Sequence, residues 1–124
     1  ISPEAPVPVV LVKKEFLTPG GAGNVAVNIV DLGGRSSVLG LVGQDLAGQQ
    51  LIRELNKRNI DMSGILTVEN RPTSQKIRVI ASTQQIVRID KEIVEPIDFQ
   101  NKIATIKRIT AIVCLLIFPL FNHL

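Results

Sequence analysis

The amino-acid sequence predicts an α/β fold, in which a parallel β-sheet with flanking helices is joined to an antiparallel β-hairpin. Short apolar runs without alternation are typical of strands that are covered on both faces. The segments between those runs repeat apolar residues at helical spacing. A third region, residues 75–90, alternates apolar and charged side chains as a hairpin does. With four Phe and no Trp or Tyr, the core must be aliphatic.

The first elements are a strand and a helix. Residues Val7–Val12 are β-branched and apolar, and the flanking Pro6 and Pro8 confine this predicted strand to a sheet edge. A helix is predicted over Ala22–Leu32, and Gly33-Gly34 would end it. Its predicted inner face consists of Val25, Ile29 and Leu32, widened by Ala26, Val27 and Val30.

A strand–helix–strand unit follows. The strands are predicted over Ser37–Val42 and Ile65–Val68, and Asp45 would cap the helix between them. The apolar face of that helix is formed by Leu51, Ile52 and Leu55. Further along the chain, Asp98 would cap a helix carrying Ile103, Ile106 and Ile109, and a buried strand is predicted over Ala111–Phe118.

The hairpin strands are predicted over Gln75–Ala81 and Gln85–Asp90. If the apolar positions of the two strands face each other, Val79 pairs with Val87. Ser82-Thr83-Gln84 then form a three-residue loop. This register sets Arg78 opposite Arg88, and an anion between the two arginines would relieve their repulsion. In the alternative, Lys76 pairs with Asp90 across the strands and both arginines point into solvent.

Composition excludes several classes of function. The net charge is only +3 and the longest basic clusters are pairs such as Lys13-Lys14 and Lys107-Arg108, so we expect no nucleic-acid binding. The most apolar stretch, residues 109–121, is shorter than the about 20 residues of a membrane span, so we expect no membrane insertion. The single cysteine, Cys114, cannot form an internal disulfide, which favours a cytoplasmic location.

The residues that carry chemistry lie in the glycine-rich segment Pro19–Ala26. Glycines before a helix let a ligand approach the backbone, and the first helical turn offers unpaired N–H donors. Gly21-x-Gly23-x-x-Ala26 also fits a dinucleotide fingerprint, with Asp45 as the acidic residue that follows it. A third alternative is a loop whose glycines serve only helix packing.

The wider spacing resembles the N-terminal signature of the ribokinase-like (PfkB-type) carbohydrate kinases. The signature comprises Gly20-Gly21-Ala22-Gly23-Asn24-Val25-Ala26, then Gly33, and then the G-x-D-x-x-G run from Gly43 to Gly48. The flanks 1–10 and 84–90 are similar to the branch represented by the kinase half of the bifunctional heptose kinase/adenylyltransferase.

The resemblance implies a partial ribokinase-like domain over residues 1–124. Residues 1–17 and 73–91 would be the strands of an antiparallel lid, and residues 18–72 and 92–124 the α/β core. The substrate would be a phosphorylated sugar, with ATP and Mg²⁺ required by the intact enzyme. The hydroxyls of the sugar would be held by Gly20, Gly21 and Asn24, and its phosphate by Arg78 and Arg88.

The resemblance also marks the lid strands as a candidate homodimer interface. No G-x-G-D run, which carries the general base in this family, occurs in the sequence. We therefore expect a truncated sugar kinase without catalytic residues, inactive alone. Two alternatives stay open: a fragment of a dinucleotide-binding oxidoreductase, and a non-catalytic sugar-binding or pseudogene product.

Overall fold

The structure is a computed structural model that describes residues 4–107. The elements are helices α1 and α2, the parallel strands β1 and β2, and the antiparallel strands β3 and β4. Their bounds are α1 Gly21–Asp31, β1 Ser37–Gly43, α2 Leu46–Asn56, β2 Asp61–Val68, β3 Gln75–Ala81 and β4 Gln84–Lys91. Residues 99–107 are also helical.

The predicted strand–helix–strand unit is confirmed. Strands β1 and β2 pair in parallel, with Gly40 opposite Ile65 and Val42 opposite Thr67. The cluster that forms the aliphatic core lies between this sheet and the two helices, and its buried members are Ala26, Val27, Leu55 and Ile60. Strand β2 begins four residues before the predicted start, at Asp61.

Helix α1 ends as the glycine pair predicts. Gly33 has a positive φ of 86°, the N–H of Gly33 donates to the Val30 carbonyl, and the N–H of Gly34 donates to the Ile29 carbonyl. These two bonds form a Schellman motif, which satisfies the last carbonyls of the helix.

The predicted inner face of α1 is correct in part, since Ala26 and Val27 are buried, but its predicted centre is wrong. Val25, Ile29 and Leu32 are 57%, 41% and 89% exposed within the described part of the chain. The buried stripe is instead Gly23, Ala26 and Val27. Both stripes have helical spacing, so the sequence pattern alone does not decide which one faces the sheet.

The predicted strand Val7–Val12 is not formed. Residues 7–20 have no regular secondary structure, and the side chains of this segment are exposed, Leu11 by 80%. A strand needs a partner for its backbone N–H and C=O groups, and β3 and β4 pair only with each other in the described sheet. Pro8 also removes one of the donors that such pairing would use.

The predicted hairpin register is confirmed over most of its length, while the predicted loop is wrong. Val79 lies opposite Val87, and Arg78 lies opposite Arg88. The register then shifts, because Ile80 pairs with Gln85 and leaves Ile86 as an extra residue in β4. This β-bulge shortens the connection to the two turn residues Ser82 and Thr83, and Ser82 adopts a φ of +56°.

The helix over residues 99–107 is capped as predicted, since the Asn101 N–H donates to Asp98 Oδ1 at 2.9 Å. Ile103 is half-buried, but Ile106 is 61% exposed. Ile109 and the predicted strand Ala111–Phe118 lie outside the described residues. Between residues 4 and 107, no helix combines the length and apolar character needed to cross a membrane.

Candidate functional site

The start of α1 presents two glycines to open space. Gly20 has φ −102° and ψ 170°, an extended conformation that any residue can adopt. A Cβ added at Gly20 would meet no atom within 4 Å in the described structure. The backbone at Gly20 is therefore open to close approach by a ligand, and as the N-cap of α1 glycine is also a favoured residue.

Gly21 has the same open surroundings, but its φ is +49°. This left-handed conformation is strained for a side-chain-bearing residue. It begins the helix directly after Gly20, so the chain turns sharply at the glycine pair.

Unpaired donors lie at this turn. The N–H groups of Gly23 and Asn24 both donate to the Gly20 carbonyl. The N–H groups of Gly21 and Ala22 have no hydrogen-bond acceptor within residues 4–107, and no side chain caps the helix. Asn24 is exposed on the first turn of α1. This set of backbone donors and one amide suits a hydroxyl-bearing or anionic ligand.

Gly23 has a different role. A Cβ at this position would lie 3.2 Å from Pro19 Cβ and 3.7 Å from Leu55 Cδ2. Gly23 is buried, and Leu55 belongs to α2 and is 1% exposed. This glycine therefore allows α1 to pack closely on α2, as the packing alternative expects for the whole loop.

A partly buried hydrogen-bond cluster organises the G-x-D-x-x-G run. Asp45 caps α2 by accepting from the Gly48 N–H at 2.8 Å. The same carboxylate accepts from the Thr73 hydroxyl at 2.7 Å and from the Thr73 N–H at 2.9 Å. The Thr73 hydroxyl in turn accepts from the Gly43 N–H at 2.8 Å. We call these four residues the Asp45 cluster.

The two glycines of the Asp45 cluster are required by packing. A Cβ at Gly43 would lie 2.5 Å from the Arg71 carbonyl oxygen and 2.7 Å from the Thr73 nitrogen. A Cβ at Gly48 would lie 2.5 Å from the Gly43 carbonyl oxygen. The motif therefore packs the turn between β1 and α2 against the chain that leads into β3.

The electrostatics of the Asp45 cluster argue against the dinucleotide alternative. Hydrogen bonds from the Thr73 hydroxyl, the Thr73 N–H and the Gly48 N–H hold the pKa of Asp45 below its ordinary value. Two of these donors bond to Oδ1 and one to Oδ2, which leaves the carboxylate room for about one further hydrogen bond, whereas recognition of a ribose needs it free. In addition, no strand leads directly into Gly20, as the dinucleotide loop requires.

Charged residues share one face of the hairpin. Lys76 Nζ lies 3.4 Å from Asp90 and 3.2 Å from Glu92, so the pairing considered in the alternative does occur. Arg88 Nε lies 2.9 Å from Asp90 Oδ1 in the same strand. Desolvation acts to raise the pKa of Asp90, but the hydrogen bond and charge of Arg88 and the charge of Lys76 outweigh it and lower that pKa.

Arg78 differs from its neighbours in the hairpin. Among residues 4–107 its guanidinium has no hydrogen bond or ion pair. It lies directly opposite Arg88, and opposed residues of an antiparallel pair share a face. The structure therefore brings both predicted phosphate ligands to one surface and leaves Arg78 unpaired.

Thr73 is the residue that sequence reasoning missed. It lies 28 residues after Asp45, and no local pattern links the two. The signal was indirect: a hydroxyl residue stands next to Pro72, just before a predicted strand. No group of His, Cys, Asp and Glu suited to a metal ion occurs in the described range.

A family model and curated relatives match most of this chain. The family model described as pfkB family carbohydrate kinase matches residues 2–113. The bifunctional protein HldE of Helicobacter pylori strain G27 is 53% identical over 98 residues, which are 79% of this chain and 21% of that protein. The bifunctional protein HldE of Wolinella succinogenes is 47% identical over 106 residues, 86% of this chain and 22% of that protein.

Two solved structures share the fold. An uncharacterized sugar kinase from Pyrococcus horikoshii, also solved in complex with ATP, matches with a TM-score of 0.52 and 36% identity over 60% of this chain and 25% of that one. Fructokinase from Vibrio cholerae O395 matches with a TM-score of 0.51 and 29% identity over 68% of this chain and 29% of that one.

Proposed function

Because this chain belongs to the pfkB family of carbohydrate kinases, we propose that it is part of an ATP-dependent, cytoplasmic D-glycero-D-manno-heptose-7-phosphate 1-kinase. The product would feed ADP-heptose synthesis for the lipopolysaccharide core. Identity of 53% over 98 residues and 47% over 106 residues to bifunctional HldE proteins supports this substrate. The chain spans about a fifth of the length of those relatives, 21% and 22%.

One observation carries the proposal for the sugar site: Gly20 is a glycine where neither packing nor φ demands one. Hydroxyls of the sugar would approach the backbone at Gly20 and Gly21 and meet the free N–H groups there. The Asn24 amide would donate to one hydroxyl and accept from another. Such contacts position the acceptor hydroxyl, and positioning contributes a large part of phosphoryl-transfer catalysis.

The hairpin β3–β4, the lid, would supply phosphate recognition. Arg78 is unpaired within the described chain, and Arg88 shares its Asp90 partner with Lys76. A sugar phosphate between the two guanidinium groups would remove the repulsion of the opposed arginines. The exposed carboxylates beside them would then pair with Lys76 alone.

We assign no residue of this chain a role in binding the nucleotide or in the transfer of its phosphoryl group. The intact family enzyme would use ATP with Mg²⁺, but the sequence holds no G-x-G-D run for a general base. The polar groups at Gly20, Gly21 and Asn24 suit hydroxyls of the acceptor sugar, and we derive no step through ATP. By the same reasoning, the chain alone should show no kinase turnover.

The lid also offers a face for self-association. Ile77, Val87 and Ile89 share the face opposite the arginines and are 48%, 45% and 51% exposed. Two lids could bury these apolar faces against each other, which supports a homodimer through the lid strands. Light scattering of wild-type chain and an Ile89→Lys variant tests it, since only the wild type should have twice the monomer mass.

A hybrid enzyme tests the proposed function. In it, this chain replaces the matching segment of the Helicobacter pylori HldE protein, which supplies the remaining residues. We expect ATP-dependent phosphorylation of heptose 7-phosphate, and a loss of about tenfold or more in kcat/KM on Asn24→Ala, because hydroxyls lose their partner.

Asn28→Ala is the matched control, since Asn28 is an exposed amide one turn further along α1. A folded hybrid that ignores heptose 7-phosphate, or an Asn24→Ala variant that behaves like Asn28→Ala, would contradict the proposal.

A further inference from the structure

We propose that Asp45 is a positioning residue for the lid, and that through Thr73 it sets where Arg78 and Arg88 stand relative to the bound sugar. This inference rests on the proposed function for its substrate. It gives Asp45 a role in substrate recognition although Asp45 does not touch the substrate. The G-x-D-x-x-G run that contains Asp45 had no such role in the proposed function.

The lid is held to the core mainly through its two connectors. Strands β3 and β4 pair closely with each other, and within residues 4–107 they have no comparable packing on α1, α2, β1 or β2. Every residue of β4 is exposed. The orientation of the lid therefore depends on residues 69–74, which lead into β3, and residues 92–98, which leave β4.

Both connectors are anchored by specific bonds. On the entering side, Thr73 is 6% exposed and is held by the two oxygens of Asp45 and by the Gly43 N–H. On the leaving side, the Arg71 guanidinium donates to the carbonyls of Ile93 and Glu95. Arg71 and Thr73 lie in the same short connector, so the start of β3 and the end of β4 are both anchored at this connector.

Asp45 connects this place to the core. Its carboxylate also caps α2 and packs against the turn that follows β1. A change at Asp45 therefore reaches the lid through Thr73, and the charge of Lys91 at the end of β4 also acts on the Asp45 carboxylate.

The length of the lid amplifies a small change at Thr73. Arg78 lies five residues beyond Thr73, which is about 17 Å along a strand at about 3.4 Å per residue. A rotation of about 10° at the connector would displace Arg78 by about 3 Å, enough to break a hydrogen bond to a phosphate. Misplacement of about 1 Å can already lower a rate about a hundredfold.

Asp45→Asn is the sharpest perturbation. Asparagine is as good a helix cap as aspartate, so the cap of α2 is retained. An amide has only one acceptor oxygen, however, so with that oxygen on the Gly48 N–H, the Thr73 N–H loses the acceptor that Oδ2 of Asp45 supplies. Asp61→Asn is the matched control, because the Asp61 carboxylate also accepts a backbone N–H and hydroxyls, from Ser63 and Ser37, but lies at the opposite end of β2 from the connector that leads into β3.

Millisecond hydrogen exchange on the full 124-residue chain is the first test. Asp45→Asn should speed amide exchange in β3 and β4 about tenfold or more, while Leu55 and Val42 in the core keep wild-type rates. Asp61→Asn should affect only residues near the start of β2. A second variant, Arg71→Gln, should speed the same strands with Asp45 intact.

Exchange that rises equally in core and lid, or a lid that exchanges as in the wild type, would overturn the inference. This result does not depend on which sugar is bound.

The second test uses the hybrid enzyme. Asp45→Asn should lower the preference for phosphorylated over plain heptose at least tenfold through KM, with a smaller change in kcat for plain heptose. An unchanged preference beside a loosened lid would contradict the positioning role. A hybrid enzyme that does not distinguish between sugars would instead contradict the proposed function. The hydrogen-exchange result would still hold in that case.

Discussion

Replacing Thr73 by valine should destabilise the fold by about 3 kcal/mol. Valine keeps the shape of threonine and removes only the hydroxyl, which donates to Asp45 at 2.7 Å and accepts from the Gly43 N–H at 2.8 Å. The bond to the carboxylate contributes about 1.5–3 kcal/mol, and a buried N–H left without an acceptor costs about 1–3 kcal/mol. Thr73 is 6% exposed and Gly43 is buried, so water cannot easily replace the hydroxyl as the acceptor of the Gly43 N–H.

Thr73→Ser is the control. Serine keeps the hydroxyl and loses one methyl group, which costs about 0.8 kcal/mol. The less hydrophobic variant should therefore be the more stable one, by about 2 kcal/mol. Urea unfolding followed by far-ultraviolet circular dichroism measures the difference, since the sequence has no Trp or Tyr for fluorescence. Equal stability of the two variants, or a more stable valine variant, would refute the reasoning.

Three further predictions concern stability. Gly43→Ala should cost about 2 kcal/mol or more, because its Cβ would lie 2.5 Å from backbone, whereas Gly20→Ala, which only puts a poorer cap at the start of α1, should cost about 1 kcal/mol or less; similar urea midpoints for the two would contradict this. The lowered pKa of Asp45 means that its ionised form stabilises the fold above its ordinary value of 3.8, and that this stabilisation is lost as pH falls through the folded pKa. The wild type should therefore lose more stability between about pH 5 and 3 than Asp45→Asn, and parallel curves would show that the carboxylate is not involved. Arg58→Ala should cost less than about 1 kcal/mol, despite the two contacts of Arg58 with Asp31 at 2.8 and 2.9 Å, because both side chains are about half exposed; a larger loss in thermal unfolding would count against this.

Elements determined by local signals were predictable from the sequence. The Gly33-Gly34 pair ends α1, Asp45 begins α2, and alternation of side chains sets the register of Val79 with Val87. In each case the information lies within a few neighbouring residues, through a cap, a positive φ or a two-residue period.

Features that depend on distant partners were not predictable. Packing against the sheet and α2 determines which face of α1 is buried. The strand predicted over Val7–Val12 has no partner in the described chain. The Asp45–Thr73 pair joins residues 28 positions apart, so the packing role of the G-x-D-x-x-G run became visible only in three dimensions. The bulge at Ile86 shortens the hairpin turn without changing the alternation around it.

The central claim is that the glycine pair at the start of α1 holds a sugar. Amide NMR spectra of the 124-residue chain during titration with heptose 7-phosphate, with NADH as the competing ligand, test it most directly. We predict saturable shifts of the Gly20, Gly21, Ala22 and Asn24 signals with heptose 7-phosphate and none with NADH. Shifts of these signals with NADH alone, or shifts with the sugar phosphate that spare the glycine pair, would contradict the claim.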